Sequence, residues 1–174
     1  MPTSLKLLAG GVSALAIGFA TIALGAAVTP MVFAQTLTQK NISLDQAIAV
    51  VQGAMEACKD SSISITVVDR DGEVRFAVRA NGANPHNFEL SRRKAYTART
   101  FRMPSADWIK RTAPDQELYG QRQLREVIPL GGGMPIMAGE EAIGGVGISG
   151  AKGGQPAEEA CSKAGIAKIQ GQLS

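Results

Sequence analysis

The sequence predicts an α+β fold in which helices cover one antiparallel sheet of four or five strands. Two strand pairs with tight turns lie near residues 63–79 and 134–149, and three segments with helical spacing flank and separate them. The order is therefore helix, hairpin, helix, hairpin, helix. Hairpins pair antiparallel strands, and the apolar faces of the helices must be buried against the resulting sheet.

The first helix begins after Ser43, which forms a capping-box pattern with Gln46 three residues later. Apolar residues then recur at helical spacing as far as Cys58. In the first hairpin, apolar and polar residues alternate on both sides of Asp71-Gly72. This dipeptide favours a two-residue hairpin turn because its residues tolerate positive φ.

The second helix is predicted over residues 87–102, which contain neither proline nor glycine. Its cations are expected to form a solvated face; they are Arg92, Arg93, Lys94, Arg99 and Arg102. Residues 103–129 are the least regular part of the chain, and a connection of this length usually covers a site or an interface. The second hairpin follows at 134–149. The last helix is expected to open at Pro156, with Glu158 and Glu159 in its first turn.

Half of the 20 glycines lie between Gly131 and Gly154. Glycine within a strand indicates that other atoms approach the backbone closely, and a helix, a second subunit or a flat ligand would each fit. Residues 145–150 also read G-x-G-x-x-G. They do not open a βαβ unit, so dinucleotide binding is not expected.

Residues 1–34 resemble a secretory signal peptide. Lys6 provides a basic start, an apolar stretch follows, and Val32-Phe33-Ala34 has small residues where a signal peptidase cleaves. The alternative is an uncleaved membrane anchor. Cleavage after Ala34 would leave residues 35–174 as one domain without stable membrane insertion, located in the periplasm or secreted.

The net charge bears on nucleic-acid binding, and the two cysteines bear on disulfide formation. Without Lys6 the chain has 17 Lys and Arg residues and 15 Asp and Glu residues. This small positive charge does not favour nucleic-acid binding. In an exported chain, the two cysteines favour a disulfide between Cys58 and Cys161. Two buried thiols on apolar helix faces remain the alternative.

Several segments in combination resemble the GlcG/HbpS family of small haem-binding proteins, and also the carboxy-terminal domain of some corrinoid adenosyltransferases. The similar segments are SITVVD at 64–69, NGA at 81–83, RRKAYTA at 92–98, GGMPI at 132–136 and IGGVGISG at 143–150. The resemblance covers about residues 43–168. It implies a profilin-like fold, assembly into homo-oligomers, and non-covalent haem binding of the kind found in several secreted members.

The family has no shared iron-ligand motif known to us, so candidate ligands come from this chain. His86 is the single histidine, and imidazole is the commonest axial ligand of haem iron. A surface histidine without a role is the alternative. Arg92 and Arg93 are candidates to bind the haem propionates, and Trp108 to shield the macrocycle from water. The other possible iron ligands are more often core residues: a sixth ligand from Met103, Met134 or Met137, or a phenolate from Tyr96 or Tyr119.

Catalysis is not favoured, because one histidine and two distant cysteines do not make a zinc site and no nucleophile elbow is present. Three hypotheses remain. The first is an exported haem binder for sensing, storage or transfer, with a possible sensor or transport partner. The second is a small-acid or corrinoid binding module, and the third is a structural oligomer without ligand.

Overall fold

The computed structural model describes residues 35–173 of the protein. The signal peptide expected at residues 1–34, including its cleavage site, lies outside the described residues. From Thr38 onward the chain forms one compact unit. None of the helices in the described part is long and apolar enough to cross a membrane.

Four α-helices and four β-strands make up the domain. In chain order they are α1 (Leu44–Ala57), β1 (Ser64–Asp69), β2 (Val74–Arg79), α2 (Pro85–Phe101), α3 (Ser105–Arg111), β3 (Gly133–Ala138), β4 (Glu141–Ser149) and α4 (Gly154–Ala167), with short 3-10 helices at Glu117–Gln123 and Gln170–Gln172. The strands form one antiparallel sheet in the order β2-β1-β4-β3. The predicted α+β class with a four-stranded antiparallel sheet is therefore confirmed.

The local signals at the start of the domain form a capped helix and a hairpin. The Ser43 hydroxyl accepts from the Gln46 amide, and the Gln46 side chain accepts from the Ser43 amide, which completes the capping box of α1. The hairpin turn is not the expected two-residue turn: of the Asp71-Gly72 pair only Gly72 has a positive φ, +85°, and the Asp69 amide donates to the Glu73 carbonyl across a three-residue loop. The turn is held by Asp69, whose Oδ1 accepts from the amides of Asp71 and Glu73.

One face of the sheet carries the apolar core. Branched side chains of the two central strands lie in this core together with residues of α1 and α4; those from the strands are Ile65, Val67, Val146 and Ile148. The expected disulfide is present here, since Cys58 at the end of α1 is bonded to Cys161 of α4 with the two Cα atoms 5.9 Å apart. The bond joins the two helices that cover this face.

Helix α2 covers the opposite face, and the glycines make its close approach possible. A Cβ at Gly147 would lie 2.1 Å from the Ser91 carbonyl oxygen, and one at Gly145 would lie 2.5 Å from the Ala95 carbonyl oxygen. A Cβ at Gly133 would be equally close to the backbone of α2. The glycine pattern allowed a helix, a second subunit or a flat ligand as the close neighbour, and in this structure the neighbour is helix α2.

Three local expectations are corrected. Residues 103–129 are more regular than expected, because they contain α3 and the 3-10 helix. Lys94 is not on a solvated face: its side chain is 2% exposed and pairs with Glu158. Glu158 in turn lies beyond the first turn of α4, since that helix starts at Gly154 and not at Pro156.

Candidate functional site

Helix α2 presents two distinct outer faces. Phe88, Arg92 and Tyr96 are spaced four residues apart and share the face toward the β1–β2 turn. His86, Leu90 and Arg93 share a second face. His86 and Arg92 are six residues apart, which places them about 120° apart around the helix axis. The sequence prediction combined these two residues in one site, whereas the structure places them on different faces.

A cleft of about 360 Å³ lies beside the first of these faces. Its volume is within the range of about 300–1,000 Å³ that small-ligand pockets occupy. Its lining comes from the β1–β2 turn, from α2 and from the connection before β3; the residues are Asp71, Gly72, Glu73, Val74, Arg92, Tyr96 and Glu126. Two of the predicted site residues, Arg92 and Tyr96, therefore meet here.

The ring of Tyr96 rests on the glycine of the hairpin turn. A Cβ at Gly72 would lie 2.6 Å from a ring carbon of Tyr96, so the turn needs glycine for this contact as well as for its positive φ. The side chain of Tyr96 is half-buried. Tyr96 is consequently held at the wall of the cleft.

The charge of Arg92 is already balanced by carboxylates. Its guanidinium donates to Glu89 at 3.0 Å and to Glu126 at 2.6 Å. The hydrogen bond from Arg92 lowers the pKa of Glu89, and the hydrogen bonds and charges of both glutamates raise the pKa of Arg92. Three acids line the cleft against the single Arg92; they are Asp71, Glu73 and Glu126. The cleft is therefore a poor environment for a propionate.

Arg93 fastens the long connection to α2. Its Nη2 donates to the carbonyl of Val127, while its Nε is buried with no hydrogen-bond partner among the described residues. One turn further on, the Thr97 hydroxyl accepts from the amide of Ile128. These bonds lay residues 127 and 128 against the side of the helix.

His86 lies in the first turn of α2, and its side chain is exposed. It is ten residues from Tyr96, which is about 15 Å along the helix axis. It does not line the cleft. The face it shares with half-buried Leu90 and Arg93 combines an imidazole, an apolar surface and a cation.

Trp108 is fully buried and stacks on Phe101 with ring centroids 4.9 Å apart. Its Nε1 donates to Gln121 at 3.2 Å. Phe101 is the last residue of α2 and lies fifteen residues, or about 22 Å along the helix axis, from His86. Trp108 therefore packs at the opposite end of the helix from His86. Trp108 thus lies in the interior and does not line a surface together with His86.

The alternative ligands are dispersed. Met134 and Met137 line a separate cleft between β3 and α4, and Met103 is half-buried beyond the end of α2. Tyr119 is 43% exposed and lies under the guanidinium of Arg122. Among residues 35–173, no group of three or more His, Cys, Asp or Glu side chains could hold a metal ion.

Sequence reasoning missed two features of this region. Val74 and Phe88 are large apolar side chains that remain 47% and 40% exposed at the edge of the cleft face. The spacing of Phe88, Arg92 and Tyr96 could have indicated this face. The role of Glu126 could not be foreseen, because it reaches Arg92 from 34 residues away along the chain.

Comparisons with known proteins point to one family. Residues 42–167 match the model of the family described as haem degrading protein HbpS-like. A crystal structure of a double mutant of HbpS from Streptomyces reticuli is 30% identical, covers 81% of this chain and 97% of that chain, and superposes with a TM-score of 0.71.

More distant structures share the fold. ORFY from Klebsiella pneumoniae is 22% identical, covers 79% of this chain and 97% of its own, and has a TM-score of 0.73. PduOC, crystallised as a complex with haem, is 24% identical, covers 75% of this chain and 96% of its own, and has a TM-score of 0.69. An uncharacterised 15.0 kDa protein of Citrobacter freundii, encoded between dhaT and dhaS, is 30% identical over 90 residues. That match spans 51% of this chain and 63% of that relative.

Proposed function

The chain belongs to the HbpS-like family, and we propose that it binds haem non-covalently outside the cytoplasm, for sensing, storage or transfer. The observation that carries the proposal is the match to HbpS over 97% of that protein's length at 30% identity. PduOC, which was crystallised with haem, supports it as an example of the same fold holding this group.

We place the haem on the His86 face and not in the acidic cleft. His86 supplies an exposed imidazole and Leu90 an apolar surface for the macrocycle. Arg93 lies on the same face; its Nη2 holds the carbonyl of Val127, which leaves Nη1 to donate to a propionate. Arg92 would have to exchange Glu89 or Glu126 for a propionate, so its contribution is the smaller one. Tyr96, the one phenol in the cleft, is the alternative iron ligand.

Haemin titration of the oxidised mature domain, without an affinity tag, tests this assignment. Because the chain has one histidine, His86→Ala removes every imidazole from the protein. We expect a saturable Soret shift in the wild type. In His86→Ala we expect a changed Soret band and a haemin affinity lower than that of the wild type by about tenfold or more. Tyr96→Phe keeps the ring against Gly72 and removes only the phenol, so it is the matched control and should behave as wild type.

Two other outcomes would contradict the assignment of the haem to the His86 face. If Tyr96→Phe changes the band and His86→Ala does not, the iron lies in the cleft and His86 ligation is wrong. If the wild type shows no saturable shift, haem binding itself fails. The small-acid or corrinoid module then becomes the leading account of this protein.

The description of the family favours a second function, degradation of the bound haem. It is separated from simple binding by incubating the haem complex with a reductant in air. Progressive loss of the Soret band in the wild type, absent from His86→Ala, would support degradation. A stable spectrum with intact haem recovered after extraction would support binding alone.

We also propose that the protein is a homo-oligomer. Strands β2 and β3 are the edges of the sheet, and the cleft at the β3 edge is lined by apolar residues that include Met134, Pro135 and Met137. Exposed strand edges and apolar clefts are surfaces that proteins commonly cover by association. Light scattering that gives the monomer mass at high concentration would contradict this proposal.

A further inference from the structure

Three arginines converge where α2 ends. Arg99 is in the last turn of the helix, Arg102 follows it by three residues, and Arg70 belongs to the β1–β2 turn. Burial lowers the pKa of the Arg99 guanidinium, and the charges of Arg70 and Arg102 lower it further. Gly145 of β4, which packs against Arg99, pairs with Val68 near the end of β1, so the β1–β2 turn that carries Arg70 lies beside the end of α2.

The local carboxylates leave this cluster only partly compensated. Arg70 is fixed by Glu141 at 2.7 Å and by the carbonyl of Lys40 at 3.1 Å. Asp69 uses its Oδ1 for the amides of the turn, and the charges of Asp71 and Asp69 both act on Arg99 without forming an ion pair with it. Within residues 35–173, neither Arg99 nor Arg102 forms an ion pair.

Arg99 also has an unused donor. Its Nε is buried and has no hydrogen-bond partner among the described residues. The start of the side chain is held in place, because α2 packs so tightly on β4 that a Cβ at Gly145 would lie 2.9 Å from Cβ of Arg99. Nη1 and Nη2 of Arg99 are not buried and have no hydrogen-bond partner among the described residues, so they can present a forked pair of donors to an anion with two or more oxygens.

We propose that Arg99 and Arg102, assisted by Arg70, form a binding site for a carboxylate or phosphate group. This site is distinct from the His86 face, since Arg99 is thirteen residues from His86, or about 20 Å along the helix. It adjoins the cleft, because Tyr96, which lines the cleft, precedes Arg99 by three residues on α2. The anion is either free in solution or the carboxylate of a molecule that occupies the cleft.

The competing explanation is that the arginines only interact favourably with the carboxyl end of the α2 dipole, where cations are stabilising. That role needs positive charge but no forked donor. Arg99→Lys keeps the charge and loses the fork, whereas Arg99→Gln loses both. Arg75→Gln is the matched control, because Arg75 is an exposed arginine on β2 that lines no part of the cleft.

The first experiment titrates inorganic phosphate into the oxidised protein at constant ionic strength. Trp108 is the single tryptophan and stacks on Phe101, which adjoins Arg102, so its fluorescence can report binding. We expect saturable phosphate binding that weakens about tenfold in Arg99→Gln and in Arg99→Lys, and less than twofold in Arg75→Gln. Circular dichroism verifies that each variant is folded.

The second experiment titrates acetate and benzoate into the same proteins, with chloride at equal ionic strength as the reference. Tighter binding of benzoate than of acetate, lost in Arg99→Gln, assigns the anion to a molecule whose body enters the cleft, and equal binding of the two, also weakened in Arg99→Gln, assigns it to a free anion. If phosphate and both carboxylates behave like chloride in the wild type, or if Arg99→Gln binds them as the wild type does, the anion site is refuted. Haemin titration keeps the two proposals apart: because the His86 face is about 20 Å away, Arg99→Gln should leave haemin binding unchanged, and absence of haemin binding in the wild type refutes only the proposed function.

Discussion

Replacing Glu158 by glutamine tests the ion pair that links α2, β4 and α4. Lys94 Nζ lies 2.6 Å from Glu158 Oε2 and also donates to the carbonyl of Ile148 at 3.1 Å. The other oxygen, Oε1, accepts from the amide of Gly150 at 2.8 Å. The side chains of Lys94 and Glu158 are 2% and 6% exposed, so water can replace neither partner.

The expected magnitude follows from this burial. Two unit charges 2.6 Å apart attract by about 6 kcal/mol at an effective dielectric constant of about 20, and desolvation of both groups offsets much of that gain. Removing one partner leaves the other charge buried alone, which costs about 3–5 kcal/mol of unfolding free energy. Glu158→Gln keeps the shape of the side chain and an acceptor for Gly150, so this cost reflects mainly the uncompensated ammonium of Lys94.

Urea unfolding of the oxidised domain measures the effect. With an m-value of about 2 kcal/mol/M, a loss of about 4 kcal/mol lowers the midpoint by about 2 M. In the double variant Lys94→Met with Glu158→Gln no buried charge remains, and we expect it to recover a large part of the loss. If Glu158→Gln stays within about 1 kcal/mol of wild type, or if the two changes are additive, the pair does not act as inferred.

Three further outcomes are expected. Gly147→Ala should destabilise by about 1–3 kcal/mol because its Cβ would collide with α2, whereas Gly120→Ala, with nothing within 4 Å, should be nearly neutral in the same urea assay. Reducing the Cys58–Cys161 disulfide, whose partners are 103 residues apart, should cost up to about 5 kcal/mol; quantitative alkylation of both thiols in unreduced, denatured protein would show that the bond is absent. Because the folded pKa of Glu89 is lowered, its ion pair stabilises above the unfolded pKa and is lost as pH falls through the folded one. Glu89→Gln should therefore cost less than about 1 kcal/mol near pH 7, and the cost should shrink as the pH falls below the unfolded pKa; a cost that does not shrink in acid would contradict this cause.

The elements that the sequence predicted are those whose causes lie within a few residues. The capping box at Ser43 and the two hairpins are local patterns, and each formed, although the turn at Asp71-Gly72 has three loop residues and not the two that were expected. The disulfide could also be foreseen, because the chain has only two cysteines to pair. The glycines of β4 indicated a close neighbour, although they could not say which one.

The errors arose where a side chain takes its partner from a distant part of the chain. Lys94 looked like one more cation on a solvated face, and its burial follows from Glu158, 64 residues away. Arg92 looked free to bind an anion, but Glu126 arrives with the connection that Arg93 fastens to α2. A sequence shows which residues are charged, but it does not show which residues neutralise them in the folded protein.

The sequence by itself determined the fold class, the hairpins, the disulfide and the set of residues from which a site could be made. Only the tertiary structure decided which of those residues lie together on one surface and which are buried or paired elsewhere. It placed His86 and Arg92 on different faces of one helix, buried Trp108 against Phe101, and left Arg99 with an unpaired donor. The physical reason is that turns and caps depend on neighbouring residues, whereas burial and charge pairing depend on which surfaces the packed sheet and helices bring together.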